Sequence, residues 1–290
     1  MNIVVTGSNG RVGGALVDHL RGAGHKVIPL CRQDLDLAHL PALREALESL
    51  EYDAWINPAA MSSPDQCERD PALCHTVNAT APALMAYVCR KRDTYFLHFS
   101  TDYVFGGEET GKRGEEDEAH PLNFYGKSKR AGELALLSSG ARAAVLRVSW
   151  VYGARVPAFV EQCMARLQNG ERVEAIADKW SIPTAMPDLC RWVEHLLITQ
   201  PSGILHACPS GEPVSWHGIA VAVHEIMRKN GLLDGDAEIV PTALADAGHF
   251  LARRPIHTAM ENQRLSSLLP HPIADWREAL ERVIGANKRG

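Results

Sequence analysis

No Cys-x-x-C pair occurs in this 290-residue chain, whose seven cysteines (Cys31, Cys67, Cys74, Cys89, Cys163, Cys190, Cys208) are scattered. Neither a disulfide framework nor a zinc knuckle is indicated, and the thiols read as reduced and mostly buried. The thirteen histidines include no His-Glu-x-x-His and join no cluster of metal-ligating residues, so metal chemistry has no support. A basic surplus is also missing: the formal net charge is -5, which leaves no footprint for nucleic acid. No apolar run is long enough for a membrane span, and no charged n-region opens a signal peptide. A reducing cytoplasm is the expected location, without a membrane partner.

What remains is ordinary globular chemistry, with 46% hydrophobic and 22% charged residues. The length exceeds one core of about 150 residues and falls short of three. Short apolar runs at Ile3 to Thr6, Val27 to Leu30, Ala54 to Asn57, Tyr95 to Ser100 and Ala143 to Val148 are the strand candidates. Helical spacing occupies Gly10 to Ala23, Leu40 to Leu50, Pro71 to Arg90 and Tyr125 to Ser138. This alternation predicts an α/β fold with a doubly wound parallel sheet. Beyond residue 150, frequent prolines break the pattern into helices at Ala158 to Gln168, Pro187 to Ile198, Val214 to Lys229 and Ile273 to Ile284 with short strands between. The expected division is a cofactor domain over 1–150, joined by a returning segment around 185–210. A smaller mixed α/β substrate domain is expected mainly over 151–290.

Gly7-Ser8-Asn9-Gly10-Arg11-Val12-Gly13 is a G-x-x-G-x-x-G turn between the first strand and the first helix. Small residues there let backbone N–H groups and a helix N-terminus approach a pyrophosphate, the arrangement of a Rossmann-type dinucleotide site. The second strand ends at Cys31-Arg32 with no acid at its tip. A guanidinium there favours a 2′-phosphate, so NADPH is preferred and NADH stays open. Arg11 is a second candidate for the phosphate, whereas Asp34 and Asp36 are expected on the adenine side or as caps of the next helix.

Tyr125 and Lys129 stand four apart at the start of a predicted helix, on one face. A tyrosine hydroxyl ordinarily titrates near 10, and a lysine cation one turn away is expected to lower it and make it a proton donor near pH 7. Thr101 ends a buried strand at the sheet's carboxyl edge and can bond an oxygen on which charge develops. Lys129 is also expected to hold the nicotinamide ribose.

Together the glycine turn and Tyr-x-x-x-Lys resemble the extended short-chain dehydrogenase/reductases, and the finer motifs resemble one branch, the dTDP-4-dehydrorhamnose reductases. Those motifs are Asn57-Pro58-Ala59-Ala60, Ser100-Thr101-Asp102-Tyr103-Val104-Phe105, Pro121 to Lys129, and Arg147-Val148-Ser149-Trp150-Val151-Tyr152-Gly153. Pro183-Thr184, Arg254-Pro255 and Trp276 carry the likeness through almost the whole chain. The resemblance implies Thr101, Tyr125 and Lys129 as catalytic groups. It implies cofactor contacts at Gly7, Asn9, Gly10, Arg11, Val12, Gly13, Arg32, Asp36, Leu37, Ala59, Ala60, Asn78 and Lys129, with Asn78 similar to a helix asparagine that supports the active site and a helix-capping or buried polar role as its alternative. Tyr103, Trp150 and Arg254 would meet a nucleotide-sugar substrate.

The chain departs from the branch's pattern at Gly106-Gly107, at Asp178-Lys179-Trp180-Ser181 and at Arg113, in loops expected to touch sugar or nucleotide. A nucleotide-sugar dehydratase is disfavoured because Tyr103 stands where an acid would serve elimination. An epimerase, and a non-enzymatic role like that of the regulatory subunit of methionine adenosyltransferase, remain alternatives. A magnesium ion at a subunit contact is implied for some relatives, but no residue here places it. A homodimer is compatible with the sequence.

Overall fold

The computed structural model describes residues 1–233, 235 and 237–286. Its first half runs β1 (Asn2–Thr6), α1 (Arg11–Gly22), β2 (Lys26–Leu30), α2 (Leu40–Ser49), β3 (Ala54–Asn57), α3 (Pro64–Arg69), α4 (Pro71–His75), α5 (Ala81–Arg92), β4 (Tyr95–Thr101), α6 (Phe124–Ser138) and β5 (Ala143–Val148). The second half adds α7 (Phe159–Gln168), β6 (Val173–Ile176), β7 (Trp180–Ser181), α8 (Met186–Thr199), β8 (Gly203–Ala207), β9 (Val214–Ser215), α9 (Trp216–Lys229), β10 (Ile239–Thr242), α10 (Gln263–Leu268) and α11 (Trp276–Ala286). Among the described residues no helix is long and apolar enough to cross a membrane.

Six strands form one parallel sheet in the order β2-β1-β3-β4-β5-β8. Successive side chains of a strand point to opposite faces, and both faces are covered here. Ile3 and Val5 meet Leu16 and Leu20 of α1 and Leu189 and Val193 of α8. Val4, between them, joins Leu43 and Leu47 of α2 and Met85 of α5 on the other face. Strands buried on both sides need the unbroken apolar runs that the sequence supplies. A separate core unites α7, α9 and α11 with β6.

Strand order reverses between β1 and β3, which opens a crevice at the carboxyl ends of the strands. The register pairs Asn57 with His98 and Thr101 with Val148, so the ends of β3, β4 and β5 face that crevice together.

Three predicted helices differ in detail. Pro71 to Arg90 is not one helix: a π-helical turn over Thr76–Thr80 separates α4 from α5. Pro82 has no N–H to return to the carbonyl four residues back, Asn78, so the regular ladder cannot run through this point. Val214–Ser215 is a strand paired with Trp180–Ser181, and the Ser215 hydroxyl caps α9 by accepting from the Gly218 N–H at 3.1 Å. The last helix begins at Trp276 rather than Ile273.

Candidate active site

The crevice is a cavity of about 940 Å³. Gly7, Asn9, Gly10, Arg11, Val12 and Gly13 form one end of its wall, with Arg32, Asp36 and Leu37 beside them and Ala59 and Ala60 opposite. Gly7 has a left-handed backbone (φ 63°), and a Cβ on Gly13 would stand 2.2 Å from the Gly7 carbonyl oxygen. Only glycine permits that approach. Gly10, the N-cap of α1, offers no side-chain acceptor to the first amides of the helix. Those amides, with the positive end of the helix dipole, suit a pyrophosphate. The chain's own residues therefore fit a dinucleotide.

Arg32 is largely exposed at the rim, 3.6 Å from Asp36. The Asp36 carboxylate also accepts from the Ala38 N–H at 3.0 Å, and Asp34 accepts from the Cys31 N–H at 2.8 Å, so both acids shape the turn after β2. Arg11 reaches the wall, but its guanidinium donates to the Val156 and Pro157 carbonyls (3.1 and 2.7 Å). It pins the loop before α7 to the glycine turn, and part of its donor set is already engaged.

At the other end of the cavity stand Thr101, Tyr125 and Lys129. Asn123 caps α6 by accepting from the Gly126 N–H at 2.8 Å, and its own amide donates to the Arg253 carbonyl at 2.8 Å. This fixes the first turn of the helix that carries Tyr125 and Lys129. The Lys129 ammonium donates to the Phe99 carbonyl at 2.5 Å and lies 3.3 Å from His98 Nε2. Burial pushes Lys129 down to about 8, against the pull of Glu133. The expected lowering of Tyr125 by Lys129 is not what the geometry gives. Burial drives the Tyr125 hydroxyl up from its ordinary value, with a hydrogen bond to Thr101 as the opposing influence. The lysine is engaged with the β4 backbone instead.

Two residues expected as contacts do not line the cavity, and Asn78 takes the buried polar role that was its alternative. Asn78 is fully buried: its Oδ1 accepts from the Met61 N–H (2.9 Å), while Nδ2 donates to the Met61 carbonyl and to Ser128 Oγ (both 3.0 Å). It ties the loop after β3 to α6 and does not line the cavity. Arg254 is off the wall as well. Its guanidinium donates to Asp65 at 2.9 Å and to the Ala252 carbonyl at 3.0 Å, and lies 4.4 Å from the Phe250 ring centroid. It fastens the 250–254 segment to α3. The three sequence departures, at Gly106-Gly107, Arg113 and Lys179, do not line the cavity either.

Tyr103 and Trp150 do line the cavity. The Tyr103 ring meets Tyr125 edge-on at 5.8 Å, and Trp150 meets Trp216 at 5.5 Å. Trp150 holds a left-handed backbone (φ 43°), uncommon for a bulky residue and a strain that surrounding structure must support. The Thr184 backbone brackets this residue: its N–H donates to the Trp150 carbonyl at 3.4 Å, and its carbonyl accepts from the Tyr152 N–H at 3.0 Å.

Several wall and supporting residues escaped sequence reasoning. Phe159, Gln162, Trp216 and Ile219 reach the cavity from α7 and α9. Asp102, buried beside Thr101, accepts from the hydroxyls of Thr101 (3.2 Å), Ser149 (2.8 Å), Ser181 (3.2 Å) and Thr258 (2.6 Å). A polar His98 inside an otherwise apolar strand and an acid directly after Thr101 were the available signals. Ser149, Ser181 and Thr258, the other three hydroxyl partners, come from distant parts of the chain and had none.

The arrangement places a hydroxyl pair, Thr101 and Tyr125, beside a buried lysine at one end of a cavity with a phosphate cradle at the other. It can hold a dinucleotide and protonate an oxygen of a second molecule.

Comparison with known proteins gives the same direction. The family model described as RmlD substrate binding domain matches residues 1–288. A dTDP-4-dehydrorhamnose reductase of Burkholderia thailandensis is 31% identical over 293 residues, spanning 97% of each chain. A probable dTDP-4,6-dihydroxy-2-methyloxan-3-one 4-ketoreductase of Streptomyces antibioticus is 33% identical, covering 98% of this chain and 94% of its own. Among solved structures, a dTDP-4-dehydrorhamnose reductase from Clostridium acetobutylicum superposes with a TM-score of 0.89 at 27% identity, over 99% of this chain and 100% of its own.

Proposed function

The chain belongs to the RmlD substrate binding domain family, and on that premise we propose that it is an NADPH-dependent oxidoreductase acting on a nucleotide 4-ketosugar. The substrate would be dTDP-4-dehydro-6-deoxy-L-mannose, reduced at the 4-keto group to dTDP-L-rhamnose. The observation that carries this reading is the convergence of Thr101, Tyr125 and Lys129 on a cavity that also holds the glycine cradle.

When bound, the nicotinamide supplies a hydride. The chain's residues do the rest. Thr101, by turning its single hydroxyl proton from Asp102 to the substrate carbonyl oxygen, steadies the charge that develops there. Tyr125 delivers its proton to the same oxygen. Lys129, held by the Phe99 carbonyl, serves the ribose, and the Thr101 hydroxyl is the group that then favours the tyrosinate. A desolvated tyrosine is a weak acid in the resting protein, so its proton leaves only as the oxyanion forms, which suits a reduction. Tyr103 and Trp150 would flank the sugar. In this reading residues 1–150 with the segment 185–210 carry the cofactor, and the remainder of 151–290 covers the sugar nucleotide.

A panel of nucleotide 4-ketosugars assayed by NADPH consumption tests the proposal. The 6-deoxy-L-mannose derivative is expected to be the best substrate, and Tyr125→Phe to lose about two to four decades of turnover with nearly unchanged NADPH affinity. Full turnover by Tyr125→Phe would reject the proton-donor role. The likeness to a 4-ketoreductase of another sugar supports one second reading, a different nucleotide 4-ketosugar, and a different best substrate in the panel would establish it. Cofactor binding without turnover of any member would favour a regulatory role.

A further inference from the structure

Lys179 is 1% exposed, and an ammonium carries three N–H donors. Among the described residues one acceptor serves it, the Pro255 carbonyl at 2.7 Å. The ammonium also lies 4.9 Å from the Tyr103 ring centroid and 5.5 Å from that of Trp150. Both rings line the cavity and Lys179 does not, so the cation stands behind them. A buried cation with one carbonyl must draw its remaining stabilisation from the ring faces and from nearby negative charge.

The charged and titratable groups around it are Asp102 and Tyr103 from the turn after β4 and Arg254 from the 250–254 segment. Asp178, next in sequence, turns away to accept from the Leu244 N–H. Burial pushes Lys179 down to about 8, Asp102 opposes this and Arg254 adds to it.

We propose that Lys179 is a positioning residue for the sugar subsite: its ammonium, anchored to Pro255 and attracted to both rings, holds Tyr103 and Trp150 in the arrangement that receives the sugar. Affinity for the sugar nucleotide then depends on the lysine's charge. The proposal rests on the reading of the cavity as a nucleotide-sugar site, and it assigns a consequence to the departure at 178–181.

Two measurements on the full-length protein test it. Without substrate, tryptophan emission followed from pH 6.5 to 9.5 is expected to show a transition near pH 8 that disappears in both Lys179→Met and Trp150→Phe. Persistence of that transition in Lys179→Met, or its absence from the wild type, would overturn the coupling between cation and ring. This readout stands even if no 4-ketosugar is turned over.

With dTDP-4-dehydro-6-deoxy-L-mannose and NADPH, Lys179→Met is expected to raise the sugar KM about tenfold at pH 7. NADPH KM should be unchanged and kcat reduced less. The wild-type sugar KM should rise through pH 8 more steeply than that of Lys179→Met, in which Lys129, also pushed down to about 8, still titrates there. Lys179→Gln, which can still donate to Pro255, is expected to match Lys179→Met. A wild-type KM in Lys179→Gln would show that the hydrogen bond suffices, and would reject the role of charge.

Discussion

Arg32 and Asp36 make an ion pair at the cavity rim in which both side chains are well exposed. Such a pair contributes about 0–1 kcal/mol, so an incoming phosphate can recruit the guanidinium at little cost. Arg32→Ala is expected to weaken NADPH binding by roughly ten- to a hundredfold, the loss of a charge-assisted hydrogen bond, and NADH binding hardly at all. Isothermal titration with both cofactors measures this, and equal losses would remove the 2′-phosphate role. At the same scale, sequence spacing placed Tyr125 and Lys129 on one helical face but could not say which neighbour each would choose. The Phe99 carbonyl claims Lys129 because β4 passes beneath α6, a relation of distant segments. Asn78 and Arg254 illustrate the same limit. A polar side chain near a site can line it or brace it, and only the partners Met61 and Asp65 decide.

Between elements, a buried ionic cluster adds to the Lys129–Phe99 contact in joining α6 to the sheet. Glu133 of α6 accepts from Arg147 of β5 at 2.9 and 2.8 Å, from Ser100 of β4 at 2.6 Å and from Arg130 at 2.9 Å. Burial pushes the Glu133 carboxyl up, yet Arg147 and these hydrogen bonds outweigh it and hold the carboxyl below its ordinary 4.5. Removing one partner of a buried pair leaves the other uncompensated, at a cost of about 3–5 kcal/mol. Arg147→Met should therefore lower Tm by roughly 10 °C, and a change under a degree or two would refute the strap. A carboxyl lowered by folding stabilises above its unfolded value and loses that contribution as pH falls through the folded one. Wild-type stability from this cluster should thus decline below about pH 4.5, and the variant, having lost the stabilising partner, should show a shallower acid decline in thermal melts across that range. Most elements were legible as strand or helix from periodicity. The π turn at Thr76–Thr80 was not, because Pro82 acts on it from the next helix, and Val214–Ser215 became a strand only through pairing with Trp180–Ser181.

On the scale of the whole molecule, the cavity closes only because both halves meet over it: the glycine turn and strand ends from one side, Phe159, Gln162, Trp216 and Ile219 from the other. A ligand that binds the folded protein alone adds about 2.7 kcal/mol at a hundred times its dissociation constant. NADPH at that excess should raise Tm by roughly 5–10 °C, more than NADH at equal concentration. Differential scanning fluorimetry at constant salt reads both shifts, and no shift with NADPH would refute cofactor binding. The parallel sheet and the phosphate cradle were determined by the sequence itself, because hydrophobic period and the glycine requirement at Gly7 and Gly13 are local properties of the chain. The carboxylate of Asp102 under the hydroxyls of Ser149, Ser181 and Thr258, the ring pair backed by Lys179 and the bracing roles of Asn78 and Arg254 were decided by tertiary structure alone. Each joins residues far apart in the chain, and sequence spacing carries no information about a contact until packing brings its partners together.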